Sequence, residues 1–336
     1  MKTINWGIIG CGDVAEVKSG PAFQKAPDSR LLAVMRRNAQ KAQDFALRHK
    51  VPNWYTSAED VLENDQINAV YIATPPDSHL ELALAALDAG KHVYLEKPMT
   101  LNAAEAEKLV AKVETSGSKL TVAHYRRQLP AFLKVKELLE KKAIGEVRFA
   151  DIQILQPPKS QLVADSENNW RVDPQISGGG YFHDLAPHQM DLMTHYFGRP
   201  TYVDGFGTNQ AGLYRAEDIV TGIMHFESGV HFRGTWCFNA AESSAKDQCV
   251  IHGSHGRLEF SFFGDQVVLI NNEGSQTFSF DSIPHVQQPM IEATVAYFLG
   301  RGPNPCSAEE GLEVMRILDR FSTRPDAEVK EVRTSL

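Results

Sequence analysis

With 336 residues the chain is too long for one ordinary core, and at roughly 100–200 residues per domain it should hold two. A hydrophobic content of 43% and a charged content of 23% are globular values, and a net charge of −8 argues against nucleic acid or an anionic membrane as the main partner, because both usually need a basic face. Cys11, Cys237, Cys249 and Cys306 show no C-x-x-C spacing and read as reduced packing residues, neither a disulfide framework nor a zinc site. The opening "MKTINWGIIGCG" runs straight into a strand and glycines, and no later run is long enough to span a bilayer, which predicts a cytoplasmic protein.

Through residue 125 the pattern alternates strand and helix. Strands are predicted at 4–9, 31–35, 69–73, 92–95 and 119–123, short and rich in Val, Ile, Leu and Ala, as strands covered on both faces should be. Helical patterns fall between them at 39–48, 78–89 and 103–114. This alternation predicts a parallel, doubly wound sheet with right-handed crossovers, a dinucleotide-binding Rossmann domain over 1–125.

The first strand ends in "GIIGCGDVAE", where Gly10, Gly12 and Ala15 make G-x-G-x-x-A. The first glycine permits a tight turn, the second lets backbone approach a pyrophosphate, and the small third residue lets the helix pack on the strand. Amides at the helix start, those of Asp13 and Val14 among them, then face the phosphates. The end of the second strand selects the dinucleotide. An NAD site usually places an acid there for the ribose 2′-OH, but here the segment reads "AVMRRNAQ". Arg36 and Arg37 suit a 2′-phosphate and predict a preference for NADP(H) over NAD(H). The fourth strand runs into "VYLEKPMT" (93–100), where an acid, a base and a proline end the strand. Lys97 there is either a solvated loop residue or a charge aimed into a site.

After about residue 150 the texture changes. In "VHFRGTWCFN", Val230, Phe232, Gly234, Trp236 and Phe238 fall on one face and His231, Arg233, Thr235, Cys237 and Asn239 on the other. Turn signals at 264–266 and 271–274 separate further strands. The second domain, 126–336, is therefore predicted as α+β, built on a large, mostly antiparallel open sheet, with the Trp236 face partly under helices and partly against another subunit. The last helix begins at Ser307 with Glu310 three residues on, a capping box, and can pack back on the first domain. The H-x-x-H of His252 and His255 reads as strand–turn–strand rather than a metal site, and Trp6 and Trp54 read as packing residues.

The densest chemistry lies in "SGGGYFHDLAPHQMDLMTHYFG" (177–198). Asp184, His188, Asp191 and His195 are spaced 4, 3 and 4 apart, so a helix puts them on one face. Such a helix is expected to start near Phe182, leaving Pro187 in its first turns. Spacing alone leaves three readings open. His188 could transfer a proton with Asp184 orienting it or the substrate, Asp184, His188 and Asp191 could hold a metal, or the stripe could be a packed polar face.

Together, G-x-G-x-x-A, "AVYIATPPDSH" (69–79), "VYLEKP" (93–98), "VAHYRR" (122–127) and "NWRVDPQISGGGYFHDLAPHQMDL" (169–192) resemble the glucose–fructose oxidoreductase/inositol dehydrogenase family, Gfo/Idh/MocA. The match covers nearly the whole chain in consistent order. The resemblance implies a Rossmann domain, a second domain on an open antiparallel sheet, and hydride transfer to or from a secondary alcohol or ketone of a sugar or cyclic polyol. It implies that Lys97 is the family's E-K-P lysine, that Pro98 follows a cis peptide, and that Asp184 and His188 are its D-x-x-x-H pair. Thr74, Pro75 and His79 match the segment flanking the cofactor, Glu96 contributes to the same site, and Trp170 and Arg171 match a W-R pair beside the nicotinamide half. Tyr125 stands at a substrate-contacting position where many members carry Asn. The family needs no metal, so acid–base chemistry by His188 with Lys97 and Asp184 comes first, and Asp191 and His195 return to structural roles. His183, at a usually apolar position, has no assigned role. Substrate choice is expected in loops such as 155–170 and 208–216, and a homodimer or homotetramer through the second sheet. Two alternatives remain on sequence grounds: a dinucleotide-dependent glycosidase of the same fold, and a non-catalytic NADP-binding regulator.

Overall fold

A computed structural model describes residues 2–158, 162 and 169–322. The chain forms two compact units. The first holds Met1–Leu133 and Phe280–Met315; the second holds Lys134–Ser279 and resumes at Arg316.

The first unit contains a six-stranded sheet of β1 (Ile4–Ile9), β2 (Ser29–Met35), β3 (Asn53–Tyr55), β4 (Ala69–Ile72), β5 (His92–Leu95) and β6 (Leu120–Val122). The order is β3-β2-β1-β4-β5-β6 and every pair is parallel. The crossovers carry α1 (Gly20–Lys25), α2 (Ala39–His49), α3 (Ala58–Leu62), α4 (His79–Asp88) and α5 (Ala103–Ser116). Chain direction around the sheet reverses between β1 and β4, the switch point where such sheets bind ligands. β1 is central because Ile4, Trp6, Ile8 and Ile9 are all fully buried. The Trp6 indole still finds a partner, donating to Ser29 Oγ at 3.0 Å. Helix starts follow local capping: Asn38 Oδ1 accepts from Lys41 N (3.0 Å) and Asn102 Oδ1 from Glu105 N (3.0 Å). The short β3 and α3 were not predicted. Trp54, expected to pack, lies on edge strand β3 and is 39% exposed.

The second unit holds an eight-stranded sheet: β7 (Val147–Leu155), β8 (Pro200–Thr208), β9 (Ile219–Phe226), β10 (His231–Cys237), β11 (Lys246–Gly253), β12 (Gly256–Phe260), β13 (Gln266–Asn271) and β14 (Gly274–Ser279). Its order is β14-β13-β12-β11-β7-β10-β9-β8, antiparallel except for the β7–β10 pair. The helices in chain order are α6 (Pro130–Glu140), α7 (Pro174–Ser177), α8 (Gly180–Phe197), α9 (Gln288–Phe298) and α10 (Ala308–Phe321). α9 belongs to the first unit, and α10 carries the chain from the first unit into the second. Its capping box is reciprocal, with Ser307 N on Glu310 Oε2 (2.8 Å) and Glu310 N on Ser307 Oγ (3.3 Å).

The two faces of this sheet differ as the alternation of β10 predicts. Val230, Phe232, Trp236 and Phe238 are buried, each such apolar side chain contributing about 1.5–3 kcal/mol. Their cover comes from within the unit. Trp236 Nε1 donates to Gln189 Oε1 of α8 (3.2 Å), and Phe321 at the end of α10 lies against Trp236 and Phe232. Gly222 makes room for Phe321, whose ring would lie 2.4 Å from a Cβ there. Around Trp236 this face is covered by the chain's own helices. It is the opposite face that carries exposed apolar side chains: Tyr202, Phe206 and Ile223. Among the described residues no helix is long and apolar enough to cross a membrane. None of the four cysteines is in a disulfide, and burial pushes the Cys11 thiol up to about 11 and that of Cys249 well above its ordinary value, as inert packing thiols should be.

Candidate active site

In the first unit the predicted cofactor residues follow the carboxyl ends of the parallel strands. β1 delivers Gly10 at φ +94°, a conformation that costs glycine little. A Cβ there would lie 2.9 Å from the carbonyl carbon of Ala73 and the amide of Thr74. The amides of Gly10 and Cys11 both donate to Met35 O at 3.0 Å. The turn is therefore pinned between the ends of β2 and β4. Gly12 differs: nothing lies within 4 Å of the position its Cβ would take. Open space beside a tight turn at the switch point fits a pyrophosphate, with the exposed Asp13 and half-buried Val14 supplying the next amides. The helix beyond starts as a π-helical turn, Ala15–Ser19, and continues as α1.

Arg36 directly follows β2. It is half-buried and its Nη1 donates to Cys11 O (3.4 Å), while Arg37 beside it is exposed. Thr74 and Pro75 follow β4, and Ser78 Oγ donates to Thr74 Oγ1 (2.7 Å). His79 is 1% exposed and its two ring nitrogens sit 2.9 Å from Thr74 O and 2.9 Å from Pro98 O. The ring ties the loop after β4 to the loop after β5, and burial pulls its pKa down.

Glu96 and Lys97 directly follow β5, and the Lys97–Pro98 peptide is cis. Glu96 is 6% exposed, yet its side chain is fully engaged. Oε1 accepts from Tyr71 OH (2.5 Å) and Gln287 Nε2 (2.6 Å), and Oε2 accepts from Lys97 N (3.1 Å). The Glu96 side chain is thus taken up in building the turn. Tyr125 follows β6 in a 3₁₀ turn, buried, with the guanidinium of buried Arg126 over its ring at 5.1 Å.

In the second unit α8 begins at Gly180, two residues earlier than expected, so Pro187 sits inside the helix rather than in its first turns. Ser177 Oγ accepts from Gly180 N (3.0 Å) and stands in for a side-chain N-cap. Arg171 lays its guanidinium over Trp170 (4.5 Å) and donates from Nε to Asp184 Oδ2 (3.2 Å). Asp184, first ligand of the metal reading, is thus paired with an arginine. His183 is 2% exposed and packs on Gly179, where a Cβ would lie 2.1 Å from its Nδ1. Burial pushes its pKa down to about 4, so at neutral pH it is an uncharged packing residue, which gives this polar departure a role. His188 is 5% exposed, one helical turn beyond Asp184, with Phe263 edge-on at 6.5 Å. The carboxylate of Asp247 holds that aromatic, accepting from Phe262 N (3.0 Å) and Phe263 N (2.8 Å). Asp191 is buried and His195 Nε2 lies 3.1 Å from Lys136 Nζ. Of the expected substrate loops, 155–170 falls largely outside the described residues. The other, 208–216, is fastened by Asp218, which accepts from Gln210 N (2.8 Å) and Ala211 N (2.7 Å).

Residues 4–124 match the oxidoreductase family with an NAD-binding Rossmann fold, and residues 132–259 match the Gfo/Idh/MocA C-terminal domain. Oxidoreductase P35 of Formosa agariphila is 55% identical over 95% of this chain and 98% of its own length. This chain belongs to the Gfo/Idh/MocA family. It is accordingly an NAD(P)-binding oxidoreductase. Mouse trans-1,2-dihydrobenzene-1,2-diol dehydrogenase is 28% identical over 80% of the chain and 78% of its own. A solved levoglucosan dehydrogenase, in complex with NADH and levoglucosan, shares the fold with a TM-score of 0.82 at 23% identity, covering 95% of this chain and 96% of its own.

Sequence reasoning passed over Tyr71, Gln287, Arg126 and Asp247. Tyr71 sits in an apolar strand run and Gln287 is 191 residues from Glu96, so neither carries a local signal. Arg126 was legible only as half of the "RR" in the fourth family motif.

The two glycines of the turn should fail differently. Gly10→Ala meets strain of about 1–3 kcal/mol and lowers the melting temperature. Gly12→Ala leaves melting unchanged and weakens NADPH binding by roughly tenfold, about 1.4 kcal/mol. Thermal melts with fluorescence titration check this; equal melting losses in both variants would contradict it.

Proposed function

We propose that the protein is a cytoplasmic, NADP(H)-dependent dehydrogenase or reductase of secondary alcohols and ketones on sugar-like or cyclic polyol rings. The first unit would hold the dinucleotide and the second the substrate. The observation that carries this reading is the row of Gly10, Gly12, Arg36, Thr74, Glu96 and Lys97 along one edge of the parallel sheet. The named relatives support the substrate class: trans-1,2-dihydrobenzene-1,2-diol is a cyclic vicinal diol and levoglucosan an anhydro-sugar.

A bound nicotinamide dinucleotide supplies or accepts the hydride. The chain's own task is then the proton on the substrate oxygen. His188 gives or takes it, since imidazole titrates near neutrality. The Lys97 ammonium would donate a hydrogen bond to the reacting or the adjacent oxygen and polarise a ketone. Asp184, held through Oδ2 by Arg171, accepts from a neighbouring ring hydroxyl, and Tyr125 contacts the ring. Trp170 and Arg171 would lie by the nicotinamide half, and Pro75 and His79 would shape the cofactor-flanking loop after β4. Lys97→Met and His188→Ala should each lower turnover by about 10²–10⁴-fold. Near-normal turnover in both would refute the assignment.

Arg36 and Arg37 support the NADP(H) preference, because they stand directly after β2 where an NAD site usually places an acid. The Michaelis constant for NADPH should fall well below that for NADH, measured with a panel of sugar-like and inositol-derived ketones and, in the oxidative direction, levoglucosan. A clear NADH preference would sink the cofactor reading, and no turnover with any ring ketone or alcohol would sink the substrate reading.

The open face of the eight-stranded sheet supports self-association, since Tyr202, Phe206 and Ile223 are about half exposed there. A monomeric mass at micromolar concentration by light scattering would contradict a dimer or tetramer through this face.

A further inference from the structure

Behind Lys97 lies a buried polar network built from four separate segments of the first unit. Glu96 is its centre, with Tyr71 of β4, Tyr94 of β5 and Gln287 ahead of α9 around it. Tyr71 and Tyr94 are fully buried, Gln287 is 1% exposed, and the two tyrosine rings stack at 5.3 Å. Gln287 works at three atoms. Its Nε2 donates to Glu96 Oε1 (2.6 Å), its Oε1 accepts from Tyr94 OH (3.0 Å), and its backbone N–H donates to Lys18 O (3.3 Å) in the turn after the glycine loop. Ser19 Oγ closes the far side by donating to Tyr71 OH (3.2 Å).

A buried carboxylate needs donors, and this one has three. Two of them come from outside the turn and one is the amide of Lys97 itself. The orientation of Gln287 is also determined, because the Glu96 carboxylate only accepts and so faces the amide nitrogen, which leaves the amide oxygen to accept from Tyr94 OH. We propose that Gln287 is a positioning residue for catalysis: through Glu96 it fixes the backbone from which Lys97 reaches the reacting oxygen. This rests on the reading of Lys97 given above. It makes the returning segment 280–315, well outside the dinucleotide-binding motifs, part of the apparatus that aims the lysine.

The test is a double-mutant cycle read as NADPH oxidation with the panel ketone that wild type reduces fastest. Gln287→Met should lower kcat by about 10- to 100-fold, the cost of roughly a 1 Å misplacement, with little change in the Michaelis constant for NADPH. Tyr94→Phe, which keeps the ring and removes the donor that anchors the amide oxygen of Gln287, should lower kcat in the same direction by a smaller factor and guards against a folding defect in the first variant. In a Lys97→Met background neither change should slow the enzyme further. If Lys97→Met is slow and Gln287→Met multiplies upon it independently, the positioning role is overturned while the reading of Lys97 stands. If Lys97→Met turns over normally, the reading of Lys97 itself has failed. A crystal structure of Gln287→Met in which the Glu96–Lys97 turn has not moved would also overturn the proposal.

Discussion

Parallel strands all end on the same side of their sheet, and the chemistry of the first unit depends on that constraint. β1, β2, β4, β5 and β6 deliver Gly10, Arg36, Thr74, Glu96 and Tyr125 to one edge. No residue there needs a long loop to reach its neighbours. What the edge does need is satisfaction of the groups that strand ends leave behind. Met35 O takes two amides from the glycine turn, His79 bridges two loop carbonyls, and Glu96 collects three donors. The polar atoms that pin the loops are mostly buried, so the edge is preorganised rather than assembled on demand.

The second unit carries its candidate acid–base residues on one helix. α8 sits on the closed face of the eight-stranded sheet, joined to it by Gln189 and Trp236. A run of glycines before it admits His183 where any larger residue at 179 would collide, and Ser177 caps the start. Pro187, inside the helix, has no N–H to donate to the carbonyl of His183 one turn back. The stripe of alternating acids and histidines then divides. Asp184 takes Arg171 as partner, His188 lies beneath Phe263, Asp191 is buried and His195 meets Lys136.

Much of this was legible in the sequence where the signal was local. The period-2 alternation of β10 put Trp236 and Phe238 on one face, where both are buried, and Ser307 with Glu310 marked a helix start that forms as expected. The β1 run and the glycine turn read directly as strand and bend. What escaped depended on distant or weak signals. β3 and α3 are too short for periodicity to register. The face of the second sheet left open could not be told from alternation, since closure of the Trp236 face depends on Phe321, far along the chain. The partners of Asp184 and Glu96 come from other segments, and nothing in "EKP" or "HDLAPH" names Arg171 or Gln287.

The central claim is transfer of a hydride to a ring carbon bearing oxygen, with the proton managed by the protein. Reduction of a sugar-like ketone with NADPH deuterated at nicotinamide C4, followed by mass spectrometry and NMR of the product, tests it most directly. The account predicts one deuterium, on the carbinol carbon, delivered from one face of the nicotinamide only. A product without deuterium, or cleavage of a glycosidic bond with no net oxidation of NADPH, would contradict it.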